Sequence, residues 1–325
     1  MEDKEKAEDI IKNFFPHIGK TISINNLEHN EINSKNFLVI SSSGKYVLHR
    51  FHDGSSSEKI EKICKILDFC GKNGAQVPIP IHNKRKHFVE KNSNYFLTKF
   101  IVGKQISKKN NLNDLAKQLA ILHKVLNKKV TNYNYRIGER FYKKLTKNEF
   151  SVLKRKLRNK KNVDSFDKLI IKNLKFLEKL TFDNDFTAEY KRMNFKKQLI
   201  HFDLHPGNVL FRRNKVSGIL DFNAMRQGFP IQDVVFCAFR FGMLQTKSPI
   251  IMKKIILNFI SIYMKENPIH DQSKYYFEIL QEILLGRVNY ILKKRYFFNS
   301  NVWINDLTRN LSSLILVNKI LLLQK

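Results

Sequence analysis

Short apolar runs separated by polar turn residues fill much of the first hundred positions, and this pattern predicts β-strands. Between Thr21 and Phe51 the runs are TISI, NFLVI and YVLHRF, and the last two flank a turn at Ser43 and Gly44. Further strands are predicted by QVPIPIH and by the two halves of KHFVEKNSNYFLTKF. We therefore expect about five antiparallel strands before Gly103.

Apolar residues at helical spacing replace the strand pattern elsewhere. The stretch SSSEKIEKICKILDFCGKNG begins with serines and ends near a glycine, which predicts one capped amphipathic helix in the strand-rich part. Beyond Gly103 helices are predicted over NLNDLAKQLAILHKVL, DSFDKLIIKNLKFLEKL and residues 231–245, 248–265, 272–294 and 303–323. We expect a small lobe, residues 1–102, and a large, mainly helical lobe, residues 103–325.

Composition fits a folded protein in a reducing compartment. The 325 residues are 42% hydrophobic and include 26 Phe, enough for a substantial core. Three cysteines without CxxC spacing predict a cytoplasmic location and no disulfide framework. The charged amino terminus lacks the apolar core of a signal peptide, and Asn318 and Lys319 interrupt the apolar tail, so we expect no membrane span.

The net charge of +30 has two interpretations, because 59 Lys and Arg outnumber 29 Asp and Glu. One is a polyanionic partner such as nucleic acid. The other is a Lys-rich composition that covers ordinary solvated faces. The basic residues are spread along the chain without a nucleic-acid motif, which favours the second interpretation. We expect no nucleic-acid partner.

The stretch LIHFDLHPGNVLFRRNKVSGILDF, residues 199–222, is the only convincing strand pattern in the second half. Asn208 begins one apolar run and Asp221 ends the next. A two-residue turn at Asn214 and Lys215 would place Asn208 directly opposite Asp221. An amide oxygen beside a carboxylate is typical of an open magnesium site.

Asp203 lies on the loop that enters this hairpin. It can accept a hydrogen bond from a substrate hydroxyl and orient that hydroxyl towards a phosphorus atom. Together with the two metal ligands it predicts phosphoryl transfer. A second interpretation takes His201, Asp203 and His205, at i, i+2 and i+4, as zinc or iron ligands of a metal-dependent hydrolase. That hypothesis leaves Pro206, Gly207 and the rest of the hairpin unexplained.

The motif His201-x-Asp203-x-x-x-x-Asn208, followed by Asp221 and Phe222, resembles the signature of the aminoglycoside phosphotransferase and choline kinase group. Several further stretches are similar to other parts of that family: LEHNEINSKNFLVI to its phosphate-binding hairpin, YVLHRF to its third strand, NYFLTKFIVG to its hinge and LAILHKV to the helix behind its catalytic loop. The resemblance implies an α+β, bilobal protein-kinase-like fold, with an antiparallel-sheet N-lobe and a helical C-lobe. It also implies ATP and Mg2+ as cofactors.

The resemblance implies roles for individual residues. Asp203 would be the catalytic base, and Asn208 and Asp221 the magnesium ligands. His201 would pack the catalytic loop. Asp233, within PIQDVVFCAFRF, is similar to the helix-borne aspartate that braces this loop through backbone hydrogen bonds.

The resemblance also implies a nucleotide site in the N-lobe. The backbone around Lys99, Phe100 and Ile101 would be the adenine-binding hinge. The usual phosphate-binding lysine is replaced by His49, followed by Arg50, and either side chain could contact phosphate.

The helix glutamate of the nucleotide site would be Glu61, with Glu58 as the other choice. The loop from His29 to Asn36 has no glycine, and a histidine is largely neutral at pH 7. These departures favour a further alternative, a pseudokinase or nucleotide-binding regulatory protein. Phe202 also replaces a glycine that is common in the family, and Asn223 stands where protein kinases have glycine.

The acceptor is predicted only by class. The family's acceptors imply a sugar, an amino alcohol or an aminoglycoside-like molecule. Because the helical lobe is strongly basic, a neutral or anionic hydroxylated metabolite is favoured. Local acids such as Asp271, Glu278 and Glu282 could still line an acidic pocket for a cationic acceptor. We therefore predict ATP- and magnesium-dependent phosphorylation of a hydroxyl group on a small metabolite.

Overall fold

A computed structural model of the chain describes residues 2–27, 35–51, 56–90, 94–105, 112–128, 144–183, 196–269, 275–301 and 303–323. The chain divides into two units. The first unit comprises Met1–Thr131 and His205–Asn223, and the second comprises Asn132–Leu204 and Ala224–Lys325.

The first unit contains a five-stranded antiparallel sheet, as the apolar runs predicted. Its strands pair in the order β1-β2-β3-β5-β4. They are β1 (Thr21–Leu27), β2 (Lys35–Ser41), β3 (Gly44–Arg50), β4 (Pro80–Ile81) and β5 (Tyr95–Lys99). The first half of KHFVEKNSNYFLTKF forms no strand among the described residues, where Val89 makes only an isolated bridge to Phe96.

Two helices accompany the sheet: α1 (Glu2–Phe14) and the expected α2 (Ser57–Lys72). The Ser56 hydroxyl caps α2 by accepting from the N–H of Lys59. Helix α1 was not expected. Its Ala7, Ile10 and Ile11 join a buried cluster with residues of the sheet, and this packing stabilises a helix whose isolated sequence is strongly charged.

The first unit also contains α3 (Leu112–Lys128) and a hairpin of β7 (Val209–Arg212) and β8 (Lys215–Ile219). The N–H of Val216 donates to Asp114 on α3, at 2.7 Å. The expected boundary at residues 102 and 103 stays a prediction about the two lobes. By compactness alone, α3 and the hairpin join the sheet. Lys104 pairs with Phe211 of the hairpin, and the hairpin is bonded to α3 through Asp114.

The expected register of the β7–β8 hairpin was wrong by one residue. Arg213 and Asn214 form the turn, both with positive φ, because such a tight turn needs two left-handed residues. A bulge between Leu210 and Phe211 then shifts the pairing. As a result Asn208 faces Leu220: the N–H of Leu220 donates to the carbonyl of Asn208 at 2.8 Å. Asp221, the expected partner of Asn208, is one residue further along the chain.

The second unit is mainly helical. It contains α4 (Lys147–Arg158), α5 (Ser165–Phe182), α6 (Pro230–Gly242), α7 (Pro249–Glu266), α8 (Tyr276–Phe298) and α9 (Ile304–Leu322). A short sheet pairs β6 (Gln198–Ile200) with β9 (Arg226–Gly228), a strand that was not expected. Within the described ranges, no helix combines the length and hydrophobicity that a membrane crossing requires.

Asp167 joins α5 to α8 in this unit. Its carboxylate is fully buried, and it accepts hydrogen bonds from Lys160 at 2.5 Å, Tyr296 at 2.6 Å and Arg295 at 3.2 Å. Burial alone would raise the pKa of Asp167, but these hydrogen bonds and one from the Asp164 backbone hold it well below its usual range. The carboxylate is therefore ionised in the folded protein.

We expect Asp167→Asn to lower the free energy of unfolding at pH 7 by about 3 to 5 kcal/mol, because it removes one partner of a buried ion pair. The stabilisation by the ionised carboxylate is fully present above its unfolded pKa of about 4 and is lost as pH falls through the lower folded pKa. The difference between wild type and variant should therefore shrink below pH 4. Urea denaturation at pH 7 and pH 3 measures it, with the exposed Asp183→Asn as control. A difference that is constant across this range would contradict the assignment.

Candidate active site

The loop that carries Asp203 is held by Asp233. The carboxylate of Asp233 accepts the N–H of His201 and the N–H of Phe202, each at 2.7 Å, and its residue is only 1% exposed. Hydrogen bonds to an ionised carboxylate are about twice as strong as neutral ones. Asp233 also lies in the first turn of α6, where the helix dipole favours a negative charge. Two adjacent loop amides are thus fixed to one helix end.

Phe202 adopts a left-handed backbone conformation, with φ of 66°. Glycine adopts this conformation without penalty, which is a physical reason for a glycine here, whereas another residue loses roughly 1–2 kcal/mol. The Phe202 side chain is buried, and the guanidinium of Arg226 stacks on its ring. The two hydrogen bonds to Asp233 and this ring contact offset the backbone strain.

Asp203 pairs with an arginine that the motif does not include. Nη2 of Arg287, on α8, donates to Oδ1 of Asp203 at 3.0 Å and lies 3.4 Å from the carbonyl oxygen of Phe202. The Asp203 side chain keeps 25% of its surface exposed. Its N–H donates to Nδ1 of the fully buried His201 at 3.2 Å. Arg287 therefore orients the carboxylate, His201 fixes the backbone of Asp203, and the carboxylate remains accessible. The only sequence signal for Arg287 was a lone charge within the mainly apolar run ILLGRVNYIL.

Asn208 and Asp221 lie at the open ends of the β7–β8 hairpin in the first unit. Asn208 is 6% exposed, and its N–H donates to the carbonyl of His205 at 2.9 Å. Asp221 has a φ of 59°, and its Oδ1 accepts the N–H of Asn223 at 3.2 Å. Because this left-handed residue leaves the strand geometry, the alternation of β8 does not fix the direction of the Asp221 side chain.

The predicted adenine hinge packs against the same hairpin. A Cβ on Gly218 would lie 2.9 Å from the side chain of Ile101, and one on Gly103 would lie 2.5 Å from Oγ of Ser217. Lys104 pairs through its backbone with Phe211, at 2.9 and 2.8 Å. Small residues therefore allow the hinge segment to approach the hairpin closely.

Two of the three hinge amides are engaged in the first unit. The N–H of Lys99 donates to Ile79, and that of Phe100 donates to Lys45, both at 3.0 Å. Among the described residues the N–H of Ile101 has no backbone partner, so a hinge contact to adenine, which stays a prediction, would use this donor.

The candidate phosphate contacts on β3 lie on opposite faces of the sheet, since successive strand residues alternate. His49 bonds through Nε2 to Oγ1 of Thr98 at 2.9 Å and stacks on Phe96, with 4.5 Å between ring centroids. Arg50, the next residue, points the other way. The Glu61 carboxylate accepts the N–H groups of residues 88 and 89, both at 2.9 Å, so it braces a loop. The glycine-free loop falls largely outside the described residues, which omit 28–34.

The three residues of the hydrolase hypothesis have other bonds. Nδ1 of His201 accepts from Asp203, and Nδ1 of His205 accepts from Gly207 at 3.1 Å. Within the described part of the chain, no group of three or more His, Cys, Asp or Glu side chains is arranged to hold a metal ion.

Comparison with known proteins decides the family. The model of the phosphotransferase enzyme family matches residues 23–255. The chain belongs to this family. The expected protein-kinase-like fold is confirmed, and membership makes the protein a small-molecule phosphotransferase. No curated protein sequence matches the chain.

Solved structures of low sequence identity share the fold of this phosphotransferase. Spectinomycin phosphotransferase APH(9)-Ia, in complex with ADP and spectinomycin, is 15% identical, with 97% of this chain and 93% of that chain covered and a TM-score of 0.65. The amicoumacin kinase hAmiN, in complex with AMP-PNP, Ca2+ and its ligand Ami, is 14% identical, with 98% and 96% covered and a TM-score of 0.61. Choline kinase LicA from Streptococcus pneumoniae is 12% identical, with 96% and 99% covered and a TM-score of 0.59.

The position of Asp233 generates a prediction for the phosphotransferase. Asp233→Asn keeps the size of the side chain but replaces one acceptor oxygen by an N–H2 group that faces a loop amide. We expect the free energy of unfolding to fall by about 1 to 3 kcal/mol, because a buried donor loses its partner. Urea denaturation measures the change, with Asp183→Asn as the matched control. Equal stabilities of the Asp233 variant and this control would contradict the bracing role.

Proposed function

We propose that this phosphotransferase moves the γ-phosphoryl group of ATP, with Mg2+, to a hydroxyl group of a small metabolite. Asp203 is the base, and Asn208 and Asp221 are the metal ligands. The observation that carries the proposal is the Asp233-braced loop, which holds the Asp203 carboxylate partly exposed. Asn208 follows Asp203 by five residues in the sequence. Phosphoryl transfer depends chiefly on positioning and charge neutralisation, so a fixed carboxylate and two oxygen ligands are sufficient chemistry.

The residues present fit a magnesium ion. Asn208 offers an amide oxygen and Asp221 a carboxylate, which are hard oxygen ligands. Asn208 directly precedes β7, and Asp221 follows the end of β8 by two residues. When bound, the ion neutralises charge on the phosphate oxygens. The hinge segment packs on the same hairpin, so one unit carries both the predicted adenine donor, Ile101, and the predicted metal ligands.

Asp203 acts on the acceptor rather than on the nucleotide. Its carboxylate accepts a hydrogen bond from the acceptor hydroxyl, orients the oxygen and takes the proton as the oxygen–phosphorus bond forms. His201, fully buried, accepts the Asp203 N–H, so the backbone beneath the carboxylate is fixed before an acceptor arrives.

A pseudokinase is the second candidate function, and the β3 geometry favours it. His49 is bonded to Thr98 and stacked on Phe96, and Glu61 holds backbone amides. His49, which stands where the lysine is expected, does not supply the fixed positive charge that a lysine gives to phosphates. ADP release across a broad panel of hydroxylated acceptors separates the candidates, because a pseudokinase releases none.

The base assignment is tested by Asp203→Asn. We expect turnover to fall by about a hundredfold to ten-thousandfold, because the amide cannot take the proton, while nucleotide affinity changes less than about twofold. ADP release measures turnover, and calorimetric titration with AMP-PNP measures affinity. Asp183→Asn removes a charge from an exposed site of the same unit and should retain full turnover. Undiminished turnover in Asp203→Asn would refute the base.

The metal assignment is tested by Asp221→Ala. We expect the Mg2+-dependent part of AMP-PNP affinity to disappear, because one of two protein ligands is lost. Titrations with and without Mg2+ measure this difference. Glu5→Ala removes an exposed carboxylate of the same unit, on α1, and should keep the magnesium effect. A variant that binds the magnesium–nucleotide complex as wild type does would contradict the ligand role of Asp221.

A further inference from the structure

Two arginines of the second unit pack on one phenylalanine, and one of them contacts Asp203. Arg287 pairs with Asp203 and also stacks on Phe236, with its Cζ 4.4 Å from the ring centroid. Arg240 lies over the same ring, at 5.7 Å. One phenylalanine therefore holds two guanidinium groups as near neighbours, and one of these groups touches the candidate base.

The placement of Arg240 follows from the helix that braces the catalytic loop. Asp233, Phe236 and Arg240 are spaced i, i+3 and i+7 on α6, so they share one face of this helix. Asp233 at one end of this face bonds the loop. Arg240 consequently lies two turns further along the face that is directed towards the Asp203 loop.

The charges of this cluster do not cancel. Arg287 pairs with Asp203 at 3.0 Å, and Arg309 pairs with Asp306 at 2.6 Å. Among the residues that the structure describes, no carboxylate forms an ion pair with Arg240. Burial, followed by the charges of Arg309 and Arg287, lowers the pKa of Arg240 to about 10, so Arg240 is still protonated at pH 7. Arg240 thus carries a partly buried surplus charge, for which the described residues supply no ion-pair partner.

We propose that Arg240 and Arg287 select the acceptor, and that the acceptor carries an anionic group, a carboxylate or a phosphate ester, close to the hydroxyl that is phosphorylated. This inference rests on the proposed function. A hydroxyl that approaches Asp203 also approaches the guanidinium of Arg287, because the two side chains are in contact. An anionic group on the same molecule then neutralises the surplus charge of Arg240, and a guanidinium binds both kinds of oxyanion through paired N–H donors.

An ammonium group would be repelled at the same place. Of the acids named above, Glu282 is bonded to Lys144 at 2.8 Å, and among the described residues neither Glu282 nor Glu278 forms an ion pair with Arg240 or Arg287. Asp271 lies outside the described residues. The ammonium groups of an aminoglycoside-like acceptor would have the same charge as Arg240 and Arg287. This repulsion disfavours such an acceptor.

The anion site is tested first without catalysis, with inorganic sulfate as the probe. Sulfate binding to the full-length protein is measured by calorimetry or by NMR shifts. We expect Arg240→Gln and Arg287→Gln each to weaken it by about tenfold, because a charged hydrogen-bonding partner is lost. Arg158→Gln, an exposed arginine on α4, makes the same charge change and should leave binding unaltered.

Asp203→Asn provides a readout of opposite sign. This substitution removes the carboxylate that competes with sulfate for Arg287, so the affinity for sulfate should rise by at least about threefold. Asp183→Asn is the control with the same charge change. Saturating AMP-PNP should leave sulfate bound, since the site belongs to the acceptor. Displacement of sulfate by AMP-PNP would overturn the proposal and assign the arginines to the nucleotide. Sulfate binding that is undetectable, or that is insensitive to Arg240 and Arg287, would also overturn it.

The acceptor class is tested with four compounds on one skeleton: glycerol, 3-amino-1,2-propanediol, glycerate and glycerol 3-phosphate. We expect binding to be tighter for the two anions, and Arg240→Gln to weaken it for these two only. Tighter binding of the neutral or cationic compound would overturn the proposal. ADP release with that compound would still support the kinase function. Failure of the kinase function would instead abolish ADP release with every acceptor and leave the sulfate results intact, which supports the anion site.

Discussion

The pair of hydrogen bonds from the loop amides to the Asp233 carboxylate is the constraint on which the candidate active site depends. Without it, the left-handed Phe202 would be free to relax, and the direction of the Asp203 side chain would change with it. Because the acceptor is a charge buried at a helix N-terminus, each bond is stronger than a neutral one. The same helix carries Arg240. A single element therefore sets both the geometry of the base and the electrostatic character of its surroundings.

Much of the fold could be predicted from apolar spacing. The helices of the C-terminal third agree with their predicted ranges to within a few residues, because each buries a continuous apolar face. Helix α1 was not predicted although Ala7, Ile10, Ile11 and Phe14 have helical spacing, since the charged amino terminus was considered only as a possible signal peptide. The register of the β7–β8 hairpin was not predicted, because neither the turn at Arg213 and Asn214 nor the bulge between Leu210 and Phe211 changes the pattern of apolar residues in the two strands.

Some residues of the candidate site could be predicted from local sequence, and others are brought to it only by the fold. Asp203, Asn208, Asp221 and Asp233 could be identified because their spacing along the chain carries the pattern. Arg287 could not, since it lies more than eighty residues from the base it contacts and only the fold brings them together. The nucleotide contacts show the converse. His49 and Glu61 stay predicted nucleotide contacts from the resemblance, and their bonds to the sheet and to a loop in the first unit come only from the structure.

The net charge of +30 and the surplus charge of Arg240 act differently on an acceptor. Exposed lysines are screened within a Debye length of about 8 Å at physiological salt, so their number attracts anions in general and selects none. Arg240 is partly buried and lies on an aromatic ring, where solvent screens it less and its direction is fixed. A fixed guanidinium can therefore distinguish acceptors that differ only in the charge next to their hydroxyl. The rest of the basic surface cannot make that distinction, because it meets every acceptor in the same way.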